Sequence, residues 1–279
     1  MQNEDKKMKI TIGILTWNSQ GSLRRALESV KDATDILISD GGSTDKTLEI
    51  AREYGARIIS QTNPGKPIED FSIERNNLLQ NAKEDWFFYL DADEYISEEF
   101  KNFLIQLTKK ENPDHYAYFV RYHLVSAGGE RIYKSWSPQY QIRLVNKKTE
   151  AVFIRPSHER LQFDRQKFPV GKTESPWFVP LDVQLTFSVY RGKVLRRFKA
   201  LAEKNNSKSP IVFLSKVFEL LKNFFKQIIK MVLIRFRFKS KDLVPFKYDI
   251  YRLYGILVHL FFVIKRYTFL VTGFKRLWR

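Results

Sequence analysis

The chain is 279 residues long, 43% hydrophobic and 28% charged, a balance that supports a buried core and excludes wholesale disorder. It has no cysteine, which rules out disulfide scaffolds, thiolate zinc sites and cysteine nucleophiles and points to a reducing compartment. Lys and Arg number 48 against 31 Asp and Glu, a net +17, and residues 193–279 hold 21 of those cations beside only 4 acids; a neutral body carries a strongly basic tail.

The opening MQNEDKKMKI mixes acids and lysines before a short apolar run, ITIGIL, too brief for the apolar region of a secretory signal. Ile10, Ile12 and Ile14 alternate as a half-buried strand. Ser22 then caps a helix with Leu23, Ala26, Leu27 and Val30 on one face. Asp35–Ser39 is a second strand, broken by Asp40-Gly41-Gly42-Ser43-Thr44-Asp45, and the next helix stops at Gly55. Residues 56–60 form a third strand, 68–82 a helix, and Trp86–Leu90 a fourth strand that ends at Asp91-Ala92-Asp93-Glu94. Ser97 caps a further helix with Glu98 and Glu99 in its first turn. Strands alternating with helices of this length predict a mostly parallel sheet covered on both faces. Ligands of such sheets sit beyond the carboxyl ends of the strands, where Asp40 and Asp91–Asp93 fall.

From 115 to 190 the pattern changes. Residues 116–125 and 131–136 flank Ala127-Gly128-Gly129-Glu130 as in a hairpin, and 141–145 and 152–154 read as short strands. Asn205–Pro210 is the best linker, dividing a domain at 1–205 from a basic, apolar helical region at 206–279. The longest uncharged apolar stretch, Leu253–Ile264, has 12 residues and closes on Lys265-Arg266. A membrane span needs about 20, so the expectation is a cytosolic chain lying on a membrane.

Two segments could do chemistry. The carboxylates of Asp91-Ala92-Asp93 leave a buried strand together, and hard cations such as Mg²⁺ or Mn²⁺ take oxygen ligands while bridging to phosphates. The Asp40–Asp45 turn offers glycines for close backbone approach and side chains for hydrogen bonds. Each is also explained by a polar turn or an N-cap, and both readings stay open on the residues alone. GxxxxGK[ST] and GxGxxG are absent, so neither a P-loop nor a dinucleotide fold has its signature.

In order and spacing, ITIGILTWNSQGSLRRALESV, DILISDGGSTDKTLEIAREYGARII and IERNNLLQNAKEDWFFYLDADEYI resemble the N-terminal half of family 2 glycosyltransferases with the GT-A fold. SPQYQIRLVNKK followed by SHERL resembles the branch that includes lipopolysaccharide-core glucosyltransferases of cell-envelope biosynthesis. The likeness covers residues 9–160 well, 161–205 loosely and the tail hardly at all. It implies that Thr16 and Asn18 border a nucleotide, that Asp40 bonds the base, usually uracil, and that Arg75 approaches base or diphosphate. It implies further that Asp91 meets the ribose side, Asp93 the metal, His158 a metal contact and Glu159 the general base. Ser157 stands where valine is more usual, and LDVQLTFSVY lacks a histidine that related enzymes often show.

The chemistry agrees. A departing diphosphate gains negative charge that Mg²⁺ or Mn²⁺ neutralises, and an acceptor hydroxyl must lose its proton to a positioned base. On the residues alone, Glu159 is equally explained by a surface ion pair with Arg155 or Arg160.

The tail, IVFLSKVFELLKNFFKQIIKMVLI and beyond, carries Lys216, Glu219, Asn223, Lys226, Gln227 and Lys230 as a polar stripe on an apolar helix. Basic helices of this kind bind anionic membrane surfaces; packing on the body, oligomerisation and nucleic-acid binding compete. Nucleic acid is disfavoured because the cations are interleaved with Phe, Leu, Ile and Val. The expectation is an inverting, metal-dependent glycosyltransferase using a nucleotide-sugar donor, which that likeness implies is a UDP-sugar, and a membrane-linked glycan or lipid acceptor, attached peripherally to the cytoplasmic side of the inner membrane. The alternative is a catalytically silent GT-A-like module that binds a membrane surface or a partner.

Overall fold

The computed structural model describes residues 7–134, 139–156, 159–181 and 185–273. In chain order come β1 (Met8–Thr16), α1 (Leu23–Val30), β2 (Ala33–Asp40), α2 (Thr47–Glu53), β3 (Arg57–Ser60), α3 (Phe71–Gln80) and β4 (Trp86–Asp91). These follow the bounds expected from periodicity. Then come β5 (Tyr95–Ile96), α4 (Glu98–Thr108), β6 (Ala117–Val125), β7 (Gln139–Asn146), β8 (Val152–Ile154), β9 (Arg160–Gln162) and β10 (Val170–Pro180). Ser97 and Asp70 cap α4 and α3 through their side chains, accepting from Phe100 N and Ser72 N. Ser22 holds the N-cap place of α1 without capping it, because its hydroxyl turns back to Ser19 O at 3.5 Å.

Eight strands make one sheet in the order β3-β2-β1-β4-β7-β6-β10-β5. β3, β2, β1 and β4 run parallel; β7 runs against β4 and β6, β10 lies parallel to β6, and β5 runs against β10. The sheet is therefore mixed and mostly parallel. Alternation along the central strands feeds two cores. Ile10, Ile12, Ile14, Phe88 and Leu90 pack with α1, α2 and α4 on one face. Leu15, Phe87 and Tyr89 pack on the other with Leu78 and Leu79 of α3 and with Phe153 and Leu161 of the β8–β9 ribbon.

Two sequence expectations change here. Residues 131–134 do not return beside β6 as a hairpin strand, because β6 takes β7 and β10 as its neighbours; Lys134 instead bridges to Leu243 and its N–H donates to Asp242 O at 2.7 Å. The 11-residue strand β10 was not anticipated at all.

The chain forms two compact units, Met1–Glu130 with Ser137–Leu181, and Arg131–Trp136 with Asp182–Arg279. The second contains α5 (Phe187–Glu203), α6 (Pro210–Arg237) and α7 (Phe246–Thr272). Against the sequence boundary at 205/206, α5 belongs with the later helices, since Val194 and Ala202 share a small core with Val258 and Phe262 of α7. α6 buries little of itself: Leu220 is its buried residue among those described. Lys216, Glu219, Asn223 and Gln227 line a cavity with α5 and α7, the first two with side chains still 39% and 55% exposed, while Ile211, Leu214, Phe218, Phe225, Ile229 and Phe236 are each at least 57% exposed. A helix dissolved in water leaves far less apolar surface open. α7 is long and apolar enough to cross a membrane by length and composition, an 18-residue stretch within it having mean hydropathy 1.5; the count of uninterrupted uncharged residues points the other way, because it stops at Lys265.

Candidate functional site

Parallel pairing brings strand ends together. Thr16 lies beside Asp40 and Leu15 beside Asp91, so the carboxyl ends of β2, β1 and β4 share one edge. At the β2 end Asp40 is buried. Its Oδ1 accepts from Thr16 Oγ1 at 2.8 Å and Ser43 Oγ at 2.6 Å, and its Oδ2 from the N–H groups of Gly42 and Ser43, both at 2.8 Å. Those donors fill the acceptor sites of a carboxylate and fold the turn around it. Gly42 sits at φ 86°, and a Cβ there would come 3.1 Å from Gly65 N, so the turn requires glycine. Asn18, exposed at φ 49°, accepts from Thr44 N at 2.8 Å and donates its own N–H to Ser43 Oγ at 2.8 Å. The first and second strand ends are thereby one hydrogen-bonded rim.

At the β4 end charge dominates. Arg75 of α3 is only 2% exposed; it donates to Asp91 Oδ1 and its Nε lies 3.5 Å from Glu159 Oε1. Arg143 of β7 reaches Glu94 at 2.7 and 3.2 Å and approaches Asp91 Oδ2 at 3.8 Å. Both guanidinium groups lie over the Tyr89 ring, at 4.7 and 4.4 Å, and Arg143 also lies over fully buried Trp177 at 4.9 Å. Burial works against the charge of Asp91, but Arg75 and Arg143 overcome it and hold the carboxyl below its ordinary range. Glu94 is pushed up to about 7, chiefly by burial, with Arg143 opposing. Asp93 is exposed. It makes no ion pair among the described residues, and desolvation followed by the charge of Asp91 pushes it up. Glu159, with a side chain 16% exposed, lines a cavity of about 610 Å³ with Tyr89, Tyr140, Gln141 and Arg143.

The structure thus brings Thr16, Asn18 and Asp40 into one rim and Arg75, Asp91 and Glu159 into one cluster, with Asp93 beside it. Glu159 makes its ion pair inward with Arg75, not along the surface with Arg155 or Arg160. His158 lies outside the described residues. Sequence reasoning missed Arg143, Tyr89 and Trp177, and gave Glu94 no more than a turn. The available signal was Arg143 standing between apolar neighbours in QIRLV, where an unpaired charge would be costly.

Known proteins add the family. Residues 11–165, more than half of the chain, match the family described as "Glycosyl transferase family 2". An uncharacterized glycosyltransferase of Rickettsia typhi is 28% identical over 169 residues, 59% of this chain and 56% of its own. One from Rickettsia prowazekii is 30% identical over 169 residues with the same coverage. The chain therefore spans little more than half the length of these relatives. Among solved structures, S. aureus TarS 1-349 in complex with UDP-GlcNAc overlays at TM-score 0.47 and 15% identity, over 95% of this chain and 92% of that one. By the family match the chain belongs to glycosyltransferase family 2, and the matched residues carry most of the mixed, mostly parallel sheet and its helices.

Proposed function

We propose that the chain moves a sugar from a UDP-sugar to a hydroxyl of a membrane-linked glycan or lipid, by an inverting single displacement assisted by Mg²⁺ or Mn²⁺. The observation that carries this reading is Arg75, which touches both Asp91 and Glu159; the carboxylate proposed for the donor and the one proposed for the acceptor stand on one guanidinium.

In this reading Thr16, Asn18 and Asp40 receive the base, Asp40 by exchanging one of its present donors. Asp91 meets the ribose side, while Arg75 fixes its orientation. A cation fits these residues. Among the described residues no three His, Asp or Glu converge to hold one unaided, and Asp93 is an exposed hard ligand. That combination suits an ion shared between one or two carboxylates and substrate phosphates, with His158 as a further contact. When bound, such an ion neutralises charge on the departing diphosphate. Glu159 accepts the proton of the acceptor hydroxyl, in a cavity of about 610 Å³ that has room for an acceptor sugar.

The QIRLV and Ser157-His158-Glu159 segments support assignment to the branch of lipopolysaccharide-core glucosyltransferases, and so an acceptor of the cell envelope. The outward apolar stripe of α6 and the cation excess after residue 193 support peripheral attachment to the cytoplasmic face of the inner membrane.

Titrating uridine diphosphate with and without Mn²⁺, then screening nucleotide sugars for metal-dependent diphosphate release, tests the activity. Asp93→Asn should remove most of the metal dependence while the fold melts normally. Glu159→Gln should keep donor affinity and slow transfer about a hundredfold or more. Turnover at the wild-type rate in Glu159→Gln would refute the base, and lost donor affinity would move Glu159 into the nucleotide site.

A further inference from the structure

Helices α5, α6 and α7 border an open cavity of about 730 Å³. Val194, Phe198 and Leu220 give it an apolar floor. Four cations line it, Lys193, Arg197, Lys216 and Arg252, against one acid, Glu219. Glu219 is engaged by Lys216 at 2.8 Å, and Arg252 lies 3.7 Å from Asp249 Oδ1, so the cavity keeps a net positive balance. A second cavity, of about 670 Å³, adjoins the first at Lys216 and His259; Leu201, Val212 and Val263 give it an aliphatic wall, and Asn205, Ser215 and Arg266 line it as well. Cations thus reach both cavities, each beside apolar side chains.

We propose that these joined cavities bind a lipid phosphate, the phosphate among the cations and the first part of the alkyl chain between Leu201, Val212 and Val263. The inference deepens the reading of α5–α7 as membrane-facing and rests on it. Lysine and arginine make short, charge-assisted bonds to phosphate oxygens, and an apolar floor strengthens them by excluding water. A hydrocarbon chain lies against Leu201, Val212 and Val263 without giving up any hydrogen bond to water. The outward stripe of α6 offers a longer tail further apolar surface.

Calorimetry on the full chain with butyl, hexyl and octyl phosphate below their micellar concentrations tests the site, beside inorganic phosphate and neutral octyl glucoside. Affinity should rise about fourfold per added methylene until the cavity is filled, with inorganic phosphate at least tenfold weaker than hexyl phosphate. The double variant Lys193→Gln/Arg252→Gln should lose tenfold or more for octyl phosphate and nothing for octyl glucoside. Val263→Ser should reduce the gain per methylene. Circular dichroism checks the helices, and Lys193→Gln alone, at an exposed position, serves if the double variant unfolds. Equal affinity for inorganic and octyl phosphate would overturn the proposal in favour of a plain anion site. Equal affinity for octyl glucoside and octyl phosphate would overturn it in favour of an apolar groove. Vesicle flotation run in parallel separates the two readings: a chain that floats but ignores alkyl phosphates overturns the cavity alone, and one that binds them without floating sustains the cavity and overturns membrane attachment.

Discussion

An arginine buried in a sheet must be neutralised where it stands, and Arg143 is met by Glu94 through both of its terminal nitrogens. Removing one partner of a buried pair leaves the other charge without compensation, at about 3–5 kcal/mol. Glu94→Ala should therefore cost about 3 kcal/mol in denaturant unfolding. Glu94→Gln should cost clearly less, because burial already pushes this carboxyl to about 7 and the amide resembles the protonated acid. Equal losses would mean that the ionised form alone holds Arg143. At the opposite end of β2, Asp35 is buried and accepts from Thr11 Oγ1 at 2.7 Å and from Arg57 at 2.8 and 2.9 Å. Burial opposes its charge, but these bonds prevail and lower its pKa. An unfolded aspartate titrates near 3.9, so the contribution of Asp35 is complete above that pH and disappears as the pH falls through the lower folded value. Asp35→Asn should be about 2 kcal/mol less stable than wild type at pH 7, with the gap closing in unfolding curves recorded below about pH 4. What the sequence revealed at this scale followed chain proximity. Asp40 and its donors Gly42 and Ser43 are near neighbours, as are Asp91 and Asp93, so a turn motif displays them. Arg143, Tyr89 and Trp177 meet only through strand pairing, which no local pattern records.

Strand β1 shows how one residue type sets the spacing of an element. A Cβ on Gly13 would come 2.6 Å from Phe87 Cζ, so the Phe87 ring occupies the place of a side chain. Gly13→Ala should cost about 2 kcal/mol through overpacking. Combining it with Phe87→Leu should recover part of that loss in a thermal double-mutant cycle; simple additivity would show that the two do not compete for the same space. The first four strands and their helices were legible because each carries an uninterrupted period of its own. β10 was not. Its VGKTESPWFVP carries two prolines and an irregular register between Thr173 and Pro176, and its buried positions are Gly171 and Thr173 before Trp177, so no apolar alternation marks it. Residues 131–134 failed as a hairpin arm for a related reason: Gly128-Gly129 announces a turn but does not say which strand will follow it.

At the scale of the molecule, charge and apolar surface coincide in the second unit. Anionic lipid contributes about 1 kcal/mol for each nearby Lys or Arg, screened by salt. Anionic vesicles should therefore float the full chain, and 0.5 M salt should weaken the effect. Replacing Phe218, Phe225 and Phe236 with serine should abolish flotation at little cost in melting temperature, because each is well exposed. Equal flotation on neutral and anionic vesicles would remove the electrostatic part of the argument. The sequence disclosed this charge segregation by counting alone; it did not disclose how much of the apolar face of α6 stays open, which only its packing with α5 and α7 decides.

The pairing of β5 with β10 also sets an order of events. Tyr95 and Ile96 wait for Phe178 and Trp177, and distant pairing of this kind is slow to form. On the ribosome, β1 to β4 and their helices can leave the exit tunnel and pair before Trp177 has been translated. The Asp40 turn can thus be complete before Arg143 is covered, and a nascent chain stopped short of residue 177 would carry the Arg143–Glu94 pair without the indole ring that lies over it.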